Sequence, residues 1–337
     1  MAASSQSVTS GTGKRIWFIG LGLIVILAGL YTGGWYYTTT MVRANVLKAL
    51  GQQNDTGISG ECADMAFSGF PFSIGLSCSK VNVDNQTKDV STAFGSLQAS
   101  APVYQPNHIA WTLKSPTQLR TTQGLTVSAE WTDLQSNLVA KGRGIEQSQT
   151  VIDGLKASIA SSSTGQNADV TADHTEMHAR QNGEDLELAI GIENANATIK
   201  DFPQVLPTAS TSANITLTGK AGMLDGSDRN GLHGAAGVLH QAVIDIGDGR
   251  VMTLSGPFNF DDQGLLSGQF KLEINQIGPW GDSLKATIPA AKNIVNTATK
   301  LLKALASGGD KVSVDLTADR GRLSLSGFIP LGKIPPI

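Results

Sequence analysis

With 337 residues and 25 Lys and Arg against 28 Asp and Glu, the chain has a formal charge of -3 and no block of like charges, which excludes the basic footprint of a nucleic-acid binder. Charged residues make up only 16% and aromatics 6%, beside 38 glycines and two cysteines. That profile suits many short strands and small-residue turns better than a helical bundle, at a length that allows one large domain or two that share a sheet.

Residues 1–15 read as a disordered tail on the cytoplasmic side, because the first thirteen carry neither charge nor periodicity. Residues 16–37 then run without a charge from Ile16 to Tyr37, about 33 Å as a helix, which predicts a transmembrane anchor. Trp17 at one end and Trp35, Tyr36 and Tyr37 at the other occupy the levels that aromatic rings prefer at a bilayer surface. A cleaved signal peptide competes with this reading, since Lys14 and Arg15 form a suitable basic start. The length of the run and the lack of a nearby small-residue cleavage site favour an uncleaved anchor. Lys14 and Arg15 also favour an N-terminus inside the cell, although Arg43 and Lys48 lie on the far side. The expectation is a single-pass protein of a bacterial inner membrane with its main domain in the periplasm.

Residues 38–51 read as a helical stalk, with Met41, Val42, Val46, Leu47 and Leu50 near helical spacing before Gly51. From residue 52 to residue 337 the period changes to 2, predicting an exported β-rich domain whose two sheet-sharing halves divide near residues 200–212, at the proline-marked DFPQVLPT. Outside the cytoplasm, the even pair Cys62 and Cys78, with no third ligand, reads as a disulfide. Phe72, Ile74, Leu76 and Cys78 alternate onto one strand face. A plain hairpin would then set Asp64 opposite Leu76 on that face, so a bulge or an irregular first arm is expected.

Alternating runs such as Leu125, Val127, Ala129 and Trp131, or Leu186, Leu188, Ile190 and Ile192, read as half-buried strands. Turn residues Asp261 to Gly264 and Asp319 to Gly321 join consecutive antiparallel hairpins. SIASSSTGQNADVT and GSDRNGLHGAAG read as loops. One long amphipathic helix starts near Pro289 and stops at Gly308, with Ile294, Val295, Ala298, Leu301, Leu302 and Leu305 on its stripe. The fold class is thus mainly β: an extended, curved antiparallel sheet built of hairpins, with that helix laid on it. Leu266, Phe270, Leu272 and Ile274 on the sheet, together with the helix stripe, are candidates to line an apolar groove, and plain core packing is the competing reading.

Catalytic signals are weak. Gly281-Asp282-Ser283-Leu284 spells the tetrapeptide of a serine esterase family, yet no histidine follows His240 to serve as its base, and a cap at Asp282 or Ser283 explains the block without catalysis. His174, Glu176 and His178 project from one strand face and are possible zinc ligands, with a solvated strand face as the commoner cause. His233 and His240 have no partner that spacing identifies. Phosphate-binding, dinucleotide, nucleophile-elbow and zincin motifs are missing, so no enzyme and no cofactor is expected.

Several blocks together resemble an uncharacterised family of alphaproteobacterial membrane-anchored proteins, domain of unknown function 2125. They are the anchor with Trp35 and Tyr36, Cys62, GFPF at Gly69 to Phe72, Cys78, VYQPNHIAWTL at Val103 to Leu113, and GFIPLGKIPPI at Gly327 to Ile337. The resemblance implies location and a continuous fold but no activity. In architecture alone, an anchor followed by many amphipathic hairpins is similar to AsmA-like envelope proteins that hold or convey lipid. The leading expectation is therefore a non-enzymatic envelope protein whose β groove binds or conveys lipid or another hydrophobe. The alternative is a scaffold or assembly factor that binds an envelope protein partner, with the tail FIPLGKIPPI as docking segment.

Overall fold

The charge-free run and the stalk that follows it form one uninterrupted helix, α1 (Thr12–Ala49). The computed structural model describes residues 12–49, 58–85, 89–122, 124–142, 144–162, 165–200, 207–228, 230–287, 289, 292–306, 309–327 and 329–337. The expected tail before residue 12, the end of the stalk at residues 50–51 and the connection at residues 201–206 lie outside the described residues. Within α1, Leu21–Ala44 is long and apolar enough to cross a membrane.

After α1, alternation of apolar and polar residues produces twenty strands among the described residues, every pair antiparallel. The first ten are halves of five longer passes, each bent in the middle: β1 (Ile58–Ala63) with β2 (Ala66–Ser68), β3 (Ser73–Cys78) with β4 (Lys80–Asn85), β5 (Val90–Phe94) with β6 (Leu97–Pro102), β7 (His108–Leu113) with β8 (Thr117–Thr121), and β9 (Leu125–Glu130) with β10 (Asp133–Lys141). One half of each pass joins a first wing, ordered β2-β3-β6-β7-β10. The other half joins a second wing, ordered β1-β4-β5-β8-β9.

Both wings meet on β11 (Gly144–Ser161), whose first part pairs with β10 up to Asp153 and whose second part pairs with β9 from Lys156 onward. The sheet then proceeds in chain order through β12 (Asn167–Asn182), β13 (Asp185–Ile199), β14 (Ala209–Thr218), β15 (Ala236–Asp245), β16 (Val251–Phe260), β17 (Leu266–Asn275), β18 (Lys311–Asp319), β19 (Arg322–Leu325) and β20 (Ile329–Lys333). Pairing of β13 with β14 carries the sheet past residues 201–206. The result is an open, curved antiparallel sheet with the chain ends at opposite edges.

The line where the passes bend is a crease, and its cause is local. At Gly154 the backbone takes φ +63, and a Cβ there would stand 2.5 Å from Thr132 Oγ1, so a glycine is needed for both the turn and the close approach. Across the crease the inward-facing set changes parity: Ile152 and Leu155, three positions apart, join the same apolar cluster with Trp131 and Leu134. Ala172 and Thr175 are likewise both buried on β12. Trp131 Nε1 donates to Leu113 O at 2.7 Å, which satisfies the one polar atom of a ring placed in the angle between the wings.

The cysteines cross this crease. Cys62 on the second wing is joined to Cys78 on the first, with Cα atoms 5.3 Å apart. The expected irregular arm is the corner itself: Asp64 sits at φ +51 between β1 and β2, so Cys62 pairs with Val81 while Phe67 pairs with Leu76. Ser79 N donates to Ala63 O at 2.9 Å and Ser79 Oγ to Asp64 Oδ2 at 2.7 Å, closing the corner beside the disulfide.

Four helices accompany the sheet among the described residues: α1, the single turn α2 (Gly222–Asp225), α3 (Ile277–Thr287) and α4 (Lys292–Leu305). The expected long helix is α4, and α3 was not foreseen. Asp310 anchors the start of α3, its carbonyl receiving Ile277 N at 3.0 Å and its carboxylate receiving Gly278 N at 3.0 Å. α3 and α4 cross where Gly281 meets Thr299, at a spacing a Cβ would close to 2.4 Å. The stretch read as a Ser-rich loop is shorter than expected, since Ile159 to Ser161 extend β11 and β12 begins at Asn167.

Candidate functional site

Cross-strand partners in a sheet share a face, and the register extends two apolar rows across most of this one. The first reads Leu134, Ile152, Thr175, Ile192, Thr211, Ile244, Met252, Ile274 and Val312, each paired with the next. The second reads Met177, Ile190, Ala213, Ala242, Leu254, Leu272 and Val314. From β10 to β18 the first row spans on the order of 40 Å at the usual strand spacing.

Two covers close the ends of this face. At one end the second wing folds over it, and Phe94, Ala129 and Leu155 meet Leu97, Leu113 and Leu134 across the crease. At the other end α3 and α4 cap it through Ile277, Trp280, Leu284, Leu301 and Leu302, packed on Ile274, Val312 and Val314. Between the covers the face is open, with Met177 on β12 47% exposed and Ile244 on β15 41% exposed. Two buried side-chain polar atoms, Thr175 Oγ1 at the edge of the open part and Trp280 Nε1 under α3, have no hydrogen-bond partner among the described residues.

Of the expected groove residues, Leu272, Ile274, Leu301 and Leu302 fall under the second cover. Phe270, Leu272 and Ile274 face the apolar side of β17, with Phe270 and Ile274 buried, and Leu301 and Leu302 pack in one cluster with Leu272 and Ile274. This part is a closed core. Leu266 is half-buried at the far end of β17, paired with Phe260. Val295 is half-buried, but Ala298 and Leu305 lie on the exposed side of α4. Contact with α3 turns the helix so that Val295, Thr299, Leu302 and Ala306 form its covered stripe, which leaves Leu305 outside. The side chain of Ile294 lies outside the described residues.

The opposite face is polar. His174, Glu176 and His178 do share it, and they are engaged with carboxylates: His174 Nδ1 lies 2.6 Å from Asp153 Oδ1 on β11, His174 Nε2 3.2 Å from Glu176, and His178 Nε2 3.4 Å from Glu176. Asp153 and then Glu176 raise the His174 pKa, while His174 and then His178 lower that of Glu176. Among the described residues no three His, Cys, Asp or Glu groups are arranged to hold a metal ion. His240 Nε2 lies 2.9 Å from Thr216 Oγ1.

The esterase-like tetrapeptide sits inside α3 and serves neither as a cap nor as a turn. Gly281 permits the crossing with α4, Asp282 pairs with Lys285 at 2.7 Å, and Ser283 Oγ accepts from Arg250 Nη1 at 2.8 Å. The tail is engaged with its own sheet, β20 pairing with β19 and Ile334 N and Ile337 N donating to Gly321 O and Gly264 O.

Sequence reasoning missed the crease and the open middle of the face. The signal for the latter lay in the same DHTEMH block, whose alternate residues Thr175 and Met177 are the apolar side of the strand that carries the histidines.

Neither a curated protein nor a solved structure matches the chain. A family model does match residues 35–335, nearly everything from the C-terminal part of α1 through the open face to β20. The chain belongs to the family described as an uncharacterized protein conserved in bacteria, DUF2125.

Proposed function

We propose that the protein is a non-enzymatic, membrane-anchored component of the bacterial envelope that holds the acyl chains of a lipid on the open apolar face between its two covers. The observation that carries this reading is the exposure of Met177, at the head of the second row, and of Ile244, within the first, between the two covers, where a lone sheet face in water would otherwise be covered. Each apolar side chain moved from water to lipid contact contributes about 1.5–3 kcal/mol when fully buried, so a few such contacts suffice to hold a chain. The rows supply length for an acyl chain. A periplasmic position is supported by the disulfide, which persists in oxidising compartments, and by Lys14 and Arg15 before the apolar run.

Adjacent positions on opposite faces test the proposal. A photo-crosslinking amino acid at Met177 in the full chain is expected to yield lipid adducts by mass spectrometry, whereas the same group at His178 is expected to yield none. Equal labelling at the two positions, or no lipid adduct at Met177, overturns the reading.

A further inference from the structure

The outer part of α1 is bound to the sheet domain through aromatic residues. Trp35 Nε1 donates to Ser73 O at 3.0 Å, and the Tyr31 hydroxyl donates to Pro71 O. The Phe70 ring lies edge-on to Trp35 at 5.4 Å and tilted to Tyr31 at 6.3 Å. The turn of residues 69–72 between β2 and β3 is thereby placed at the level of Tyr31. Tyr31 precedes Tyr37, the last residue of the charge-free run, by six positions, or about 9 Å along the helix axis. A bilayer that covers the run up to Tyr37 therefore reaches the turn, at the depth where peripheral apolar segments meet the boundary between headgroups and acyl chains.

A second loop shares this level. Val103 N donates to Phe72 O at 3.0 Å, tying residues 103–107 between β6 and β7 to the first turn. At this shared tip Phe72 is 79% exposed, Tyr104 80% and Phe70 50%. Neither residues 66–79 nor residues 97–107 include a charged side chain. Exposed aromatic rings on an uncharged tip, continuous with an anchor that ends in Trp35, Tyr36 and Tyr37, have the composition of a membrane–water interface.

We propose that the tip formed by residues 69–72 and 103–107 inserts Phe72 and Tyr104 into the leaflet at which α1 ends, so that a lipid surface, in addition to the tether, seats the first wing. The seat follows from α1 crossing the bilayer and does not depend on what the apolar face holds. It fixes the sheet's orientation to the membrane at two points on different segments of the chain, which a single helix followed by a free linker does not.

The test uses the full chain in vesicles of phosphatidylethanolamine and phosphatidylglycerol, carrying a nitrobenzoxadiazole label on Phe72→Cys, Tyr104→Cys or Thr122→Cys in turn. Thr122 is exposed at the opposite end of the pass that begins just after Tyr104, and Cys62 and Cys78 are bonded to each other and take no label. The labels at 72 and 104 are expected to emit at shorter wavelength than the label at 122 and to lose most of their emission to shallow nitroxide lipids, which leave 122 bright. Water-like emission at 72 and 104 with no more quenching than at 122 overturns the proposal. So does shielding that appears only when other membrane proteins are supplied, which would make the tip a protein docking site.

Discussion

Gly154 shows how much of this architecture depends on a single backbone position. It combines a left-handed conformation with a neighbour, Thr132 Oγ1, that leaves no space for a side chain. Gly183 has nearly the same φ, +64, but nothing lies within 4 Å of the place its Cβ would take. Gly154→Ala is expected to destabilise by about 1–3 kcal/mol, and Gly183→Ala by about 1 kcal/mol from the conformational term alone. Urea midpoints of the two variants check the difference, and equal losses would mean that the approach to Thr132 is not tight. At this scale the sequence was hard to read. A glycine amid alternating residues signals a bend or close approach in general terms, but Thr132 lies on another pass and no spacing rule pairs the two.

Among the elements, β12 carries two chemistries on its two sides, one apolar and open, the other a string of histidines and carboxylates. The His174–Asp153 contact joins β12 to β11 across 21 positions of sequence. Because folding raises the His174 pKa above 6.5 through Asp153 first and Glu176 second, the stabilisation is fully present below 6.5 and is lost as pH rises through the raised value. Glu176, with its pKa lowered by His174 and then His178, loses its share in the other direction, as pH falls through the carboxylate range. His174→Gln is expected to make the thermal midpoint less dependent on pH above 6.5, read from unfolding curves over about pH 6 to 8.5. An unchanged slope would mean that the contact does not form in solution. The legible elements were those with strong local pattern: the apolar run, the strands, the hairpin turns at Asp261 and Asp319, and α4. α3 escaped because its start contains Gly278, Pro279 and Gly281 and its anchor, Asp310, comes from beyond α4.

For the whole molecule, the disulfide closes the edge at which the two wings begin, far from the cover that α3 and α4 form at the other end. Replacing both cysteines by serine is expected to cost on the order of 3 kcal/mol for a bridge of this sequence separation, 16. The urea midpoint of the double variant measures it, and an unchanged midpoint would show that the first two passes are held without the bond. The angle between the wings was not legible because it is produced by many small irregularities summed over separate passes, each of them unremarkable alone. The order of those passes carries a further consequence. Every pass of the sheet bonds to the one before it in the chain, so no strand waits for a partner made much later. A polypeptide delivered from its N-terminus, by a ribosome or through a translocation channel, can add each strand to a finished edge as it emerges. Under that regime the disulfide and the anchored first turn form the template, and an interrupted chain is left with a shorter sheet of the same kind rather than with a tangle.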